Sequence, residues 1–383
     1  MRLGYHETDL AFREEVRAFL RANLPAELAR AEARHGHLRR AQTDSWQKVL
    51  AAKGWAVPNW PVECGGPDWS PLQRHIYDVE YGRANAPEYS IIGVGLVGPV
   101  ICRFSNEAQK ARFIRPIIEG QIHFCQGFSE PGAGSDLASV KTKAVQEGEH
   151  FVVTGQKTWT SHAADADYMI CLARTNHGVK PQAGLSMLLI PMDAPGVQVR
   201  PIASIDGINS INEVFLDDVR VPVENLVGEC DKGWTYAKYL LNTERTHNAY
   251  LGILYRYLDR LRRCDNMPVS FGRRLEQLAV EIEALDWSVL RVHSNDNPEL
   301  GGATASAIKV GASHLLLRAA ELEVEALGLS GVVETDHNGA HFPAWAPSEA
   351  QGKLNQLMYW RASTIFGGAN EVQRTIIWAT LSR

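Results

Sequence analysis

Positive charge is in short supply. With 39 Lys and Arg against 44 Asp and Glu, the 383-residue chain has a formal net charge of −5, and no basic cluster offsets it. That argues against a nucleic-acid partner. Arg39-Arg40 and Arg262-Arg263 read as solvated helix ends. No uninterrupted apolar run approaches the roughly 18 residues that span a bilayer, so membrane insertion is not expected. Met1-Arg-Leu-Gly-Tyr-His-Glu-Thr8 has no apolar signal-peptide core, and a cytoplasmic location is the expectation. The six cysteines (Cys64, Cys102, Cys125, Cys171, Cys230, Cys264) show no C-x-x-C spacing. They read as reduced core thiols, and no metal site is expected.

What is present is organised around Gln126-Gly-Phe-Ser-Glu-Pro-Gly-Ala-Gly-Ser-Asp136. Gly132 and Gly134 can take φ > 0 conformations closed to other residues and Pro131 sets the turn, so that backbone N–H groups can converge on a planar or anionic ligand. Ser129, Ser135 and Asp136 add side-chain partners. An ordinary Gly/Ser-rich hairpin loop accounts for the same letters. Neither nucleotide-binding fingerprint, G-x-G-x-x-G or G-x-x-x-x-G-K-[ST], occurs in this stretch.

The length implies two or three packed lobes, and the hydrophobic (45%) and charged (22%) fractions are those of a globular protein. Residues 1–121 read as helices: one from Thr8 as cap through Asn23, one from about 44 to 53, one opened by the capping box Ser70-Pro-Leu-Gln73, and Glu107–Ile118. From 122 to 228 the period becomes two, in short runs without helix-length spacers. That predicts an antiparallel β-barrel or sandwich and disfavours a Rossmann unit. Helical periodicity returns over 229–383 and predicts a four-helix bundle. Leu275, Leu278, Ile282, Leu285, Val289 and Val292 form one stripe, Ala303–Leu327 a long Ala-rich helix, and Ser348 with Gln351 caps a later one. The fold class is α+β: helical, β, helical.

The 126–136 stretch, together with Gln156-Lys-Thr-Trp-Thr-Ser161 and Ile365-Phe-Gly-Gly-Ala-Asn-Glu-Val-Gln-Arg374, resembles three landmarks of the acyl-CoA dehydrogenases, in that family's order. The likeness covers nearly the whole chain and is greatest to bacterial large subunits acting on dicarboxylyl or steroid-derived CoA thioesters. It implies bound FAD, with Gln126, Phe128 and Ser129 along the isoalloxazine, Trp159, Thr160 and Ser161 on its other side, and Gly134, Ser135 and Glu371 as further contacts. Strand pattern alone reads Trp159 as a buried barrel residue. The implied reaction is α,β-dehydrogenation of an acyl-CoA to the trans-2-enoyl-CoA, a base taking the α proton while flavin N5 accepts the β hydride.

Most relatives place that base, a Glu, where this chain has Gly367. Others carry it directly before an Arg on the first bundle helix, which Glu244-Arg245 matches. Glu244 falls on a largely apolar stripe, Trp234, Ala237, Leu241, Glu244, Asn248, Leu251 and Tyr255, where burial raises a carboxyl towards a useful pKa. An ion pair with Arg245 or a solvated edge of the stripe is the alternative. The resemblance implies CoA contacts for Ser135, Asn242 and Arg245, and electron-transfer flavoprotein or a similar acceptor as electron partner.

Two contacts that family members lend a neighbour's FAD are missing. Met267-Pro-Val-Ser-Phe-Gly272 lacks the Arg expected before Phe-Gly, and Leu327-Gly-Leu-Ser-Gly-Val-Val333 lacks a double glycine. An α2β2 heterotetramer with a second acyl-CoA dehydrogenase-like subunit follows as the expectation. The alternatives are a homotetramer or homodimer using Arg273 or Arg274, a non-catalytic scaffold subunit, or an oxidase passing electrons to oxygen.

Overall fold

The computed structural model describes residues 5–34, 38, 40–87, 90–208, 210–247, 249–264, 267–293, 301–335 and 342–382, apart from the side chains of 91, 242–247, 293 and 301. Among these residues six α-helices come first: α1 (Glu7–Asn23), α2 (Ala26–Ala33), α3 (Arg40–Lys53), α4 (Pro71–Arg83), α5 (Gly98–Phe104) and α6 (Glu107–Ile118). The capping box of α4 forms as expected, with Gln73 N–H donating to Ser70 Oγ at 3.2 Å and Ser70 N–H to Gln73 Oε1 at 2.9 Å. Thr8 does not cap α1; His6 does, and its N–H donates to Asp9 at 3.0 Å. Inside the Trp-rich loop, Trp60 is buried and donates to the Val94 carbonyl at 2.7 Å. Val94 lies in a π-helical turn, Ile91–Val97. Gly93-Val-Gly-Leu-Val-Gly98 here spells G-x-G-x-x-G, but it is wound helically and follows no strand, so it is not a dinucleotide loop.

The middle of the chain forms one seven-stranded sheet: β1 (Phe124–Gly127), β2 (Lys143–Glu147), β3 (His150–Ser161), β4 (Tyr168–Arg174), β5 (Leu185–Pro191), β6 (Val197–Pro201) and β7 (Ile211–Pro222). It is mixed, where an antiparallel sheet was expected. β1 and β2 lie one after the other along the same edge of β4, both parallel to it, and the remaining pairings are antiparallel. Alternate residues of β4 serve two cores. Ile170 and Leu172 pack with the helices, while Met169, Cys171 and Ala173 fill the inside of the sheet.

Among the described residues six more α-helices follow: α7 (Gly233–His247), α8 (Leu251–Leu261), α9 (Val269–His293), α10 (Gly301–Ala326), α11 (Lys353–Trp360) and α12 (Asn370–Leu381). The α9 stripe is buried from Leu275 to Val289. The stripe drawn from Trp234 to Tyr255 does not lie on one helix. α7 ends at His247, and Tyr250, at φ 48°, opens α8 with its ring edge-on to Trp360 at 5.2 Å. Nor do Ser348 and Gln351 cap α11; Gly352 does so at φ 77°, where an added Cβ would lie 1.6 Å from the Arg34 carbonyl oxygen.

The first and last helical regions are bonded to each other. At Gly82 of α4 a Cβ would stand 2.8 Å from Gly252 Cα of α8, and Arg83 forks onto Asp259 at 2.7 to 3.0 Å. Lys353, 5% exposed, donates to the Ala33 carbonyl at 2.6 Å. Burial pushes its ammonium down to about 7, although Glu323 pulls the other way. Between pH of about 7 and 10.5 the unfolded chain therefore holds a proton that the folded chain has released, so this side chain makes stability rise with pH across that window. Lys353→Met is expected to raise Tm most below the window and progressively less through it. Parallel Tm-versus-pH curves for the two proteins would contradict this.

Candidate functional site

Two buried side chains build the loop after β1. Lys157 of β3, fully buried, donates to the Phe128 carbonyl at 3.2 Å, the Leu172 carbonyl at 2.7 Å and Glu130 Oε1 at 2.9 Å. Glu130 accepts from the backbone N–H groups of Lys141 at 2.6 Å and Thr142 at 2.8 Å, which closes the loop onto its own far end. Burial works against the Glu130 carboxylate, but the Lys157 ammonium and these hydrogen bonds hold it below its usual range. Neither residue stood out in the motif. The available signal was Lys157 at the same strand parity as Phe151 and Val153, an inward position that a lysine occupies only when paired.

Thr158 N–H donates to the Ser129 carbonyl at 2.9 Å and so brings the second motif against the first. Between Lys157 and Thr160 the register of β3 on β7 shifts from Val214 to Asn212, three residues against two, which is a β-bulge. Trp159 is the bulged residue. It has φ 58° and is 61% exposed, so it is not the buried barrel residue that alternation suggests. An aromatic residue at positive φ is costly and persists where its surroundings over-determine it, commonly at a binding site. Thr160 turns inward, fully buried, and its hydroxyl has no hydrogen-bond partner.

Gly132 and Gly134 do not use the positive φ open to them. An added Cβ at either would meet nothing within 4 Å, so the fold itself does not demand glycine, whereas close approach of a ligand does. Ser135 is exposed and Gln126 and Ser161 are half-buried, while the Phe128 side chain belongs to the core and offers the loop only its backbone. An exposed aromatic face, open ground over two glycines and an unsatisfied buried hydroxyl fit a flat, polar-edged ring system such as a flavin. Glu371, on α12, is exposed and stands 3.9 Å from Arg374; no hydrogen bond or ion pair among the described residues joins it to the sheet. A cleft of about 550 Å³ at the same end of the sheet is lined by Asp167, Asp193 and Asn212 among others. It holds none of the expected site residues, but Asn212 donates from it to the Thr160 carbonyl at 3.0 Å.

The backbone places Asn242, Glu244 and Arg245 on α7; their side chains lie outside the described residues. α7 packs on β4, β5 and the π-helical turn, and that turn packs on β1, so the helix stands over the strand that leads into the loop. Gly367 has φ 64°, a conformation that a glutamate there would adopt only under strain. Among the described residues no group of side chains could hold a metal ion, and no helix is long and apolar enough to cross a membrane.

Helical, β and helical regions around this loop and bulge define a class, and comparison with known proteins agrees. Models of the acyl-CoA dehydrogenase N-terminal, middle and C-terminal domains match residues 6–121, 125–219 and 231–382. The chain belongs to the acyl-CoA dehydrogenase family. It is 35% identical to the acyl-CoA dehydrogenase IpdE1 of Mycobacterium tuberculosis over 380 residues, 96% of this chain and 95% of that protein. Among solved structures it superposes on the Tcur3481-Tcur3483 steroid acyl-CoA dehydrogenase with a TM-score of 0.86 at 30% identity, covering 100% of this chain and 99% of the other. The ChsE4-ChsE5 complex of Mycobacterium tuberculosis gives 0.84 at 29% identity, with the same coverage.

Proposed function

We propose that this chain is the active, FAD-binding subunit of a dehydrogenase that introduces an α,β double bond into a CoA thioester, giving the trans-2-enoyl product. The observation that carries the reading is Trp159, bulged outward at positive φ beside Ser129 and the open ground of Gly132 and Gly134. FAD, when bound, supplies the two-electron acceptor. Gln126, Ser129, Trp159, Thr160 and Ser161 hold its ring, with Gly134, Ser135 and Glu371 as further contacts and Phe128 contributing backbone. Glu244 takes the α proton, and Arg245, with Ser135 and Asn242, holds the CoA moiety. The names of its relatives support a steroid-derived acyl group and assembly with a second subunit; the α2β2 stoichiometry and an electron-transfer flavoprotein or similar acceptor belong to the same proposal.

Gly367 favours one rival, a non-catalytic scaffold, because the commoner base position is vacant. Purification with flavin absorbance, followed by a screen of CoA thioesters from short-chain to steroidal with an artificial electron acceptor, separates the two. A colourless protein inert to every thioester, even with its partner, would overturn the proposal. Trp159→Ala tests the ring contact. Because Trp159 is exposed, the substitution should leave the flavin-free protein's Tm nearly unchanged, while lowering FAD retention and removing the extra stability that bound ligand confers. Full flavin content and an unaltered Tm in the loaded variant would show that Trp159 is not a contact.

A further inference from the structure

The segment joining the sheet to α7 is built more tightly than a linker requires. Val227 N–H donates to the Met187 carbonyl at 2.9 Å. At Gly228, φ 62°, a Cβ would fall 2.4 Å from the Tyr236 hydroxyl oxygen, and that hydroxyl accepts from Glu229 N–H at 3.0 Å. Asp231 follows, also at φ 62°. Its N–H donates to Ser186 Oγ at 2.8 Å, and its carboxylate accepts from Thr175 Oγ1 at 2.5 Å and Asn176 Nδ2 at 3.3 Å. Thr175 Oγ1 and the fully buried Ser186 Oγ are 2.7 Å apart, closing a three-residue knot. Two residues later α7 begins at Gly233, where a Cβ would stand 2.6 Å from the Ser186 carbonyl carbon. The knot therefore ties the end of β4 and the start of β5 to the first turn of α7. β4 is in turn registered on β1, with Gln126 opposite Ile170.

We propose that Asp231 is a positioning residue: the knot fixes the start of α7 relative to the strand that leads into the loop, and thereby the place of Glu244 relative to its substrate. This rests on Glu244 being the base. A left-handed aspartate is uncommon and costs backbone energy, and here that geometry is what aims the carboxylate at Thr175 while the N–H reaches Ser186. Glu244 lies 13 residues beyond Asp231, on the helix that starts at Gly233, so a small tilt at the knot becomes a displacement at that position. Errors of about 1 Å in such geometry cost roughly a hundredfold in rate.

The test uses the complex co-expressed with its partner subunit, with butyryl-CoA, octanoyl-CoA and a steroid-bearing propionyl-CoA as probes and ferrocenium as acceptor. Asp231→Ala should lower kcat by roughly ten- to a hundredfold, leave KM and FAD content little changed, and raise the α-deuterium isotope effect on kcat. Asp231→Asn, which tolerates the same φ and can still accept from Thr175, should recover most of the rate. Thr175→Val carries the test if Asp231→Ala fails to fold. In a Glu244→Gln background Asp231→Ala should add no further loss. An intact kcat in Asp231→Ala, or the same fold-loss in both backgrounds with only Tm otherwise altered, overturns the inference alone. An intact turnover in Glu244→Gln strikes the base assignment, and the inference with it.

Discussion

Glu244→Gln is expected to keep FAD and thioester binding while lowering turnover by about two to four orders of magnitude, the usual contribution of a positioned base. The amide preserves shape and hydrogen bonding but does not accept the α proton. No rescue is expected from the position other family members use. Gly367 has φ 64°, and a left-handed conformation costs a non-glycine residue about 1–2 kcal/mol. Gly367→Glu in that background should therefore lose stability and regain little rate. Single-turnover flavin reduction checks both variants, and unchanged reduction in Glu244→Gln would sink the assignment.

Expressed alone, the chain is expected to be poorly soluble or to hold little flavin, and to gain both flavin and activity when co-expressed with its partner. The missing neighbour-directed contacts motivate this, and the local geometry is consistent. Gly328 at φ 56° ends α10, and a Cβ at Gly331 would lie 2.4 Å from the Val324 carbonyl oxygen, so both glycines satisfy their own chain's turn. Arg274, a candidate substitute, pairs with Glu325 at 2.8 Å. Apolar side chains stand exposed nearby in sequence and on the last helix: Leu329 at 83%, Trp378 at 72% and Leu381 at 65%. Such surface favours self-association when nothing covers it. Flavin content per chain and sedimentation, with and without the partner, decide the matter. A fully flavinated, active homotetramer made from this chain alone would refute it.

The order of helices and strands was legible because it is written in the period of the apolar residues. Ser70 and Gln73 formed their box because both bonds are local. Ser348 and Thr8 offered the same local chemistry, yet Gly352 and His6 took those roles, the former because Arg34 presses on it from far along the chain. Period-two reading put Trp159 inside the barrel, on the face that Lys157 occupies. The extra residue of the bulge then reversed the faces, a change that no alternation rule contains. Tyr250 broke a stripe that looked continuous, because spacing alone does not reveal a left-handed residue. The family motifs located the loop that structure then rationalised, but the Lys157–Glu130 pair that holds it depends on contacts more than 20 residues apart, 27 along the chain.

At the opposed glycines, Gly82 and Gly252, the opening and closing helical regions meet backbone to backbone. Each region also has a core of its own, the opening helices packing with the sheet and α7, and the closing helices with one another and Val79. Polypeptides split at the sheet should thus behave as complementing fragments, each recruiting the other through this seam. A methyl group on either glycine would wedge the seam apart along its length, so the damage would appear as lost fragment reassociation more than as local unfolding of α4 or α8.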